Sequence, residues 1–209
     1  MSPDPNPAFA PPHIDPSKPS VLLIGDSISI GYMLPTRAKL AGKANVFRPA
    51  INCGPTIRAP EHLDDWISGG PWAVIHYNFG LHDLKHVNAA GDMVSPNVGH
   101  YQVPIEQYEE NLGSITDRLA ATGAVLIWAS TTPVPEGATG RIKSDAARYN
   151  EAAKRVADGR GVRINDLYTF ALDRLDTIQR PANVHFTEGG SEALAERVAQ
   201  AILDALPST

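Results

Sequence analysis

One cysteine in 209 residues rules out an internal disulfide, and a lone thiol cannot build a zinc site, so the fold must rest on its apolar core. No run comes near the roughly 20 consecutive apolar residues of a membrane-spanning helix, which argues against a membrane partner. Basic charge is also in short supply. Eighteen Lys and Arg stand against 23 Asp and Glu, a formal net charge of -5. There is no clustered basic footprint with which to read phosphates, so nucleic acid is excluded as a partner. The N-terminus lacks a basic stretch followed by an apolar one. As given, the chain reads as cytoplasmic, or as secreted or periplasmic if a signal peptide has been trimmed.

What is present is ordinary for a globular protein: 43% hydrophobic and 20% charged residues. The length suits one domain. Proline crowds the first 19 residues, at positions 3, 5, 7, 11, 12, 16 and 19, and blocks regular hydrogen bonding there. Residues 1–19 therefore read as a proline-rich arm outside the fold. It is either disordered or packed across the domain or onto a neighbouring subunit, which leaves a homo-oligomer open. Residues 20–209 read as the domain.

From Ser20 short apolar runs alternate with longer amphipathic segments, the pattern of βαβ units on a parallel sheet. Five strands are expected at Val21–Ile24, Asn45–Arg48, Ala73–Tyr77, Ala124–Ala129 and Val162–Ile164. Helices are expected at about Ile28–Ala41, Glu61–Ser68, Pro104–Thr122, Ser144–Asp158 and Glu188–Leu206. In the last, Leu194, Val198, Ile202 and Leu206 recur at fourfold spacing and form a stripe for the sheet. Residues 85–103 and 132–143 read as long loops. Both follow the carboxyl ends of strands, where open parallel sheets bind ligands, so both are candidates for substrate contact.

The first strand breaks at Gly25-Asp26-Ser27 directly before a helical pattern. A serine at such a turn exposes its hydroxyl at the top of the sheet beside free N–H groups that can stabilise negative charge. By itself this also describes a helix cap. Asn183-Val184-His185-Phe186-Thr187, just ahead of the final helix, supplies an imidazole suited to take the hydroxyl proton near neutral pH. Ser27 and His185 together favour nucleophilic catalysis, with Asp26 better placed to fix the turn than to orient His185. His76, inside an apolar strand, reads as a core group, and Trp66, Trp72 and Trp128 read as packing residues. His82, His86, Asp83 and Asp92 match no compact ligand spacing, so no metal and no organic cofactor is expected.

From Ser20 to Leu206 the sequence resembles the SGNH, or GDSL-type, hydrolases, and Gly25-Asp26-Ser27 matches their first motif block. The resemblance implies a three-layer α/β/α flavodoxin-like fold with a five-stranded parallel sheet, and Ser27 as nucleophile with His185 as base. Asn52-Cys53-Gly54-Pro55-Thr56 is similar to the second block, implying that the Gly54 N–H joins that of Ser27 in the oxyanion hole. The third block's Gly-x-Asn-Asp corresponds to Gly80-Leu81-His82-Asp83. His82 stands in the asparagine's place and is the expected third donor, with Asn78 as the alternative. In the fifth block, Asp-x-x-His, Ala182 occupies the aspartate position, so Asn183 or a backbone carbonyl is left to orient His185. Residues 78–85, 130–135, Tyr149-Asn150 and 165–168 are similar to a bacterial subgroup associated with polysaccharide degradation. What this implies is a serine esterase of short, acetyl-type esters on small-molecule or carbohydrate substrates. The alternatives are a lipase or thioesterase of longer acyl chains and a catalytically weakened carbohydrate-binding relative.

Overall fold

The computed structural model describes residues 6–206. In chain order its strands are β1 (Ser20–Ile24), β2 (Asn45–Phe47), β3 (Val74–Tyr77), β4 (His86–Val87), β5 (His100–Tyr101), β6 (Val125–Ala129) and β7 (Arg163–Asn165). Its α-helices are α1 (Ser27–Lys39), α2 (Ala59–Ile67), α3 (Ile105–Ala120), α4 (Asp145–Gly159), α5 (Leu167–Leu172), α6 (Leu175–Ile178) and α7 (Glu188–Leu203). Five strands form one parallel sheet in the order β2-β1-β3-β6-β7. α1 packs on α7, and α3 packs on α4 with α2 beside it, completing three layers.

Strand β1 shows why the sheet lies at the centre. Val21, Leu22, Leu23 and Ile24 are all buried, so both of its faces are covered, as parallel strands require. Each α7 residue of the apolar stripe from Leu194 to Ile202 is buried, and Leu206 packs partly buried against the same core. Thr187 caps α7 by accepting the Gly190 N–H at 3.0 Å. The chain runs from β1 outward to β2 and returns to the other side of β1 as β3. This reversal opens a crevice at the carboxyl ends of β1 and β3.

Several boundaries differ from those the sequence suggests. Pro104 precedes α3 as its N-cap instead of lying in the first turn. Residues 85–103 are not wholly irregular, since β4 and β5 pair there as an antiparallel hairpin. α5 and α6 have only 6 and 4 residues, too short for a helical period to register.

The proline-rich arm is a larger difference, because its described part, residues 6–19, belongs to the folded body. Ala8 lies in the core and Phe9 sits 5.5 Å from the Arg48 guanidinium. The Asn45 side chain accepts the Asp15 N–H at 2.9 Å and donates to the carbonyls of Asp15 and Lys18. These bonds give the arm's backbone the partners that proline denies it in a regular element. Residues 1–5 of the arm lie outside the described residues.

α7 meets the segment around α6 at Gly190, where an added β-carbon would run into the carbonyl oxygen of Ile178. Gly190→Ala is expected to cost about 1–3 kcal/mol, the usual size of overpacking, measured as a lower urea midpoint with unchanged slope. An unchanged midpoint would contradict the close approach.

Candidate active site

Ser27 is the first residue of α1, held at the carboxyl end of β1 by a tight turn. Buried Asp26 caps the helix, its Oδ1 accepting the Ile28 N–H at 2.9 Å, and its carbonyl accepts the Ser29 hydroxyl at 2.8 Å. At the first helical position the Ser27 N–H has no carbonyl one turn back to bond. The buried Arg48 guanidinium braces the turn from behind. It donates to the Gly25 carbonyl at 3.2 Å, to Ser29 Oγ at 3.0 Å and to the Ile51 carbonyl at 3.1 Å. The Cys53 N–H also donates to the Gly25 carbonyl, at 3.2 Å. Arg48 and Cys53 thus tie the loop after β2 to the loop after β1.

His185 comes from the other end of the chain, on a strip between α6 and α7. The Arg180 N–H donates to the His185 carbonyl and the Thr187 N–H to the Ile178 carbonyl, both at 2.9 Å. Buried Gln179 fastens this strap, its Nε2 donating to the carbonyls of Pro133 at 2.9 Å and Val184 at 3.0 Å. The strap brings His185 Nε2 to 2.8 Å from Ser27 Oγ.

The position of the ring proton follows from one neighbour. Asn183 Oδ1 accepts the His185 backbone N–H at 2.9 Å and lies 2.8 Å from Nδ1 of the same residue. A backbone N–H can only donate, so the asparagine presents its oxygen. Nδ1 facing that oxygen must then carry the hydrogen. Nε2 is left with its lone pair toward the Ser27 hydroxyl. Ala182, at the position where the sequence lacks an aspartate, adopts a left-handed φ of 51° and makes the turn into this strip.

The four backbone and side-chain donors expected around Ser27 are placed unequally. His82 lines a cleft of about 460 Å³ together with Asp26, Ser27, Asn52, Asn183 and His185. Asn78 is buried and outside the cleft lining, its Nδ2 donating to the Ala129 carbonyl at 2.7 Å. The Gly54 N–H donates to Asn52 Oδ1 at 3.0 Å, so Asn52, which the sequence did not single out, stands between Gly54 and the cleft. Gly54 has φ 68°, a left-handed conformation that favours glycine. Asp83 anchors the same loop, its Oδ1 accepting the Thr56 N–H at 2.8 Å and hydroxyl at 2.6 Å. Burial nevertheless pushes its carboxyl pKa up to about 7.

Burial also lowers the pKa of His185. Asp26 opposes that shift, and Arg180 and Arg141 add to it. His82 is lowered for the same first reason, with Asp26 opposing and Lys85, Arg141 and Arg58 reinforcing. Both rings therefore favour the neutral form at pH 7. His76 is a core group bonded to Asn165 Nδ2 at 3.1 Å, pushed down to about 4 by burial. Trp66, Trp72 and Trp128 are buried. Met93, Ala138, Thr139 and Arg141 bring both long loops to the cleft. Arg141 and Lys85 lie in the two loops the sequence marks for substrate contact, but no spacing singled out either side chain. Among the described residues no group of three or more His, Cys, Asp and Glu is placed to hold a metal ion, and no helix is long and apolar enough to cross a membrane.

No protein-family model matches the chain. In sequence, 85 residues are 38% identical to a methionyl-tRNA formyltransferase from Bifidobacterium animalis subsp. lactis; the match spans 41% of this chain and only 26% of that protein. In structure, a lipase/acylhydrolase from Enterococcus faecalis superposes with a TM-score of 0.75 at 15% identity, covering 91% of this chain and 98% of the other. Axe2, an acetylxylan esterase from Geobacillus stearothermophilus, gives 0.73 at 15% identity over 91% and 97%. The acetyl xylan esterase AlAXEase gives 0.72 at 16% identity over 88% and 99%. The chain therefore has the three-layer α/β/α fold of these solved esterases and acylhydrolases, with its five-stranded parallel sheet.

Proposed function

We propose that the protein is a serine esterase that hydrolyses short, acetyl-type esters through Ser27 and His185, with carbohydrate esters as the favoured class. The observation that carries this reading is the 2.8 Å approach of His185 Nε2 to the Ser27 hydroxyl across 158 positions of sequence. A capping serine has no need of a distant imidazole whose free lone pair faces it. The solved esterases that share the fold, two of them acting on acetylxylan by name, favour the ester and carbohydrate parts of the reading.

In this mechanism Ser27 Oγ attacks the ester carbonyl carbon while its proton passes to His185 Nε2. The imidazolium is steadied by Asn183 Oδ1. The tetrahedral oxyanion is met by the Ser27 N–H and by His82, with the Gly54 N–H joining when the Asn52 side chain turns away. The C–O bond breaks as His185 returns the proton to the leaving alcohol. Water then attacks the acyl-enzyme, gives a proton to His185, and Ser27 regains it as the acid departs. Asp26 serves as the cap that holds Ser27 in place. The cleft's lining mixes polar Asn52, Lys85, Thr139, Arg141 and Asn183 with apolar Leu81, Met93, Ala138, Ala182 and Val184, and so lacks the wholly apolar trough that would suit a long acyl chain.

Ser27→Ala should lower p-nitrophenyl acetate turnover by at least about 10⁴-fold, with an unchanged circular dichroism spectrum, and abolish labelling by a fluorophosphonate. Retained turnover would remove Ser27 from the chemistry. Absence of both turnover and labelling in the unaltered protein would point to a non-catalytic relative. Rates on p-nitrophenyl esters should fall from acetate to octanoate, and a rise would favour a lipase or thioesterase.

His82→Ala is expected to reduce kcat by about 10²-fold to 10³-fold, the cost of losing one oxyanion donor, and Asn78→Ala to act mainly through stability. The reverse ranking of the two kcat values would hand the donor role to Asn78.

Because activity needs neutral His185, the kcat/KM profile should lose its acid limb at a midpoint below 6.5, the usual imidazole value. Asn183→Asp puts a negative charge beside Nδ1 and should move that midpoint upward while raising kcat about tenfold. A midpoint above 6.5 in the unaltered protein, or no movement in the variant, would contradict the assignment of His185.

A further inference from the structure

The protein is acidic overall, with a formal net charge of -5, yet the surroundings of Ser27 and His185 are not. Two cationic side chains, Lys85 and Arg141, line the cleft, against a single carboxylate, that of Asp26. One oxygen of that carboxylate is committed to the cap of α1. Two more cations flank the rim. Arg58 Nη1 donates to the carbonyl of cleft residue Asn52 at 3.1 Å, and Arg180 is bonded through its backbone to the carbonyl of His185. None of these four makes an ion pair among the described residues.

Arg141 is built into this position. Its Nε donates to the Leu81 carbonyl at 2.9 Å and one Nη to the Thr139 carbonyl at 3.4 Å, which fixes the guanidinium between the two loops beside His82. Lys85 has no hydrogen bond from its ammonium group to any described residue. Burial and the fields of Arg141 and Arg58 make its charged form costly. Half-buried like charges that crowd one another, with only the Asp26 carboxylate of the cleft to offset them, raise the free energy of the empty cleft. An anion arriving between them lowers it. Elsewhere seven of the other fourteen Lys and Arg residues find acids, as in Arg155 with Glu109 at 2.6 Å and Arg160 with Asp117 at 2.7 Å.

From this we infer that the cleft takes an ester bearing a carboxylate or similar single anion close to the scissile bond, held by Lys85 and Arg141. The inference deepens the esterase reading and rests on it for the word ester. The anion itself is argued only from the charges in the cleft. It can belong to either half of the substrate, as an acidic sugar on the alcohol side or a dicarboxylic half-ester on the acyl side.

Two matched pairs of esters separate these sources. On the alcohol side 4-acetoxybenzoate is compared with its methyl ester, and on the acyl side p-nitrophenyl hemisuccinate with p-nitrophenyl butyrate. In at least one pair the anionic ester should have the higher kcat/KM, by about tenfold at low salt, and the advantage should shrink in 0.5 M NaCl as screening sets in. In Lys85→Gln the ratio of anionic to neutral ester should fall several-fold, whatever happens to the absolute rates. Charge preference at or below one in both pairs, or a ratio indifferent to Lys85→Gln, overturns the inference.

Calorimetric binding to Ser27→Ala provides an arm that needs no turnover. 4-Acetoxybenzoate or succinate monoesters should bind at least tenfold more tightly than their neutral partners, and equal binding overturns the proposal. Selective binding of the anion by Ser27→Ala, joined to an unaltered protein that cleaves no ester, would leave the charge assignment standing and remove the esterase reading. Cleavage of neutral esters with no preference for anions would do the opposite.

Discussion

The geometry around Ser27 depends on a strap in which residues 178–180 and 184–187 hold each other by backbone hydrogen bonds. Gln179 reaches from its centre to the carbonyls of Pro133 and Val184. The strap sits against the N-terminus of α7 so tightly that only glycine fits at position 190. An imidazole on a free loop would sample many orientations, and each would cost part of the entropy that a proton transfer needs to have been settled beforehand. Here the order is imposed by amide hydrogen bonds that end on the backbone of the cleft-lining residues Val184 and His185. The same strap places Asn183, so the tautomer of His185 and its direction are fixed by one short stretch of chain.

A second layer of support lies on the opposite side of Ser27. Arg48, Cys53 and Asp83 join three successive loops at the carboxyl end of the sheet: the turn at 25–27, the segment 51–56 and the segment after β3. Every bond in this set ends on a backbone carbonyl, a backbone N–H or a hydroxyl. The set therefore constrains loop positions, leaving the side chains that face the cleft free to differ. A different side chain at a cleft-facing position such as His82 is a change that such a scaffold can carry without rearranging.

Much of this was legible in the sequence. β1 announces itself as four apolar residues broken by Gly25, and α7 by apolar residues at fourfold spacing, because burial of a sheet strand and of one helix face each leaves its own period. The turn at Ser27 could also be seen, since a strand-to-helix turn is local. Arg48 and Gln179 could not be found in this way. Their importance comes from contacts made across the fold, and a lone arginine or glutamine at a strand end or helix end carries no period. Arg141 and Lys85 sit in segments whose structure is set by the loop partners they meet. The hairpin of β4 and β5, two residues to a strand, is below the length at which alternation becomes visible.

For the arm the sequence left disorder and packing across the domain both open, because proline density measures the absence of regular hydrogen bonding and says little about packing. Phe9 lies on the outer side of Arg48, the guanidinium that grips the Gly25 carbonyl and Ser29 Oγ from within. A chain cut back to Ser20 would strip the aromatic cover from a cation that water would then compete to solvate, loosening the grip two residues from Ser27. Through Arg48 the proline-rich segment and the turn at Ser27 are mechanically one unit, and a change in the first is felt at the second.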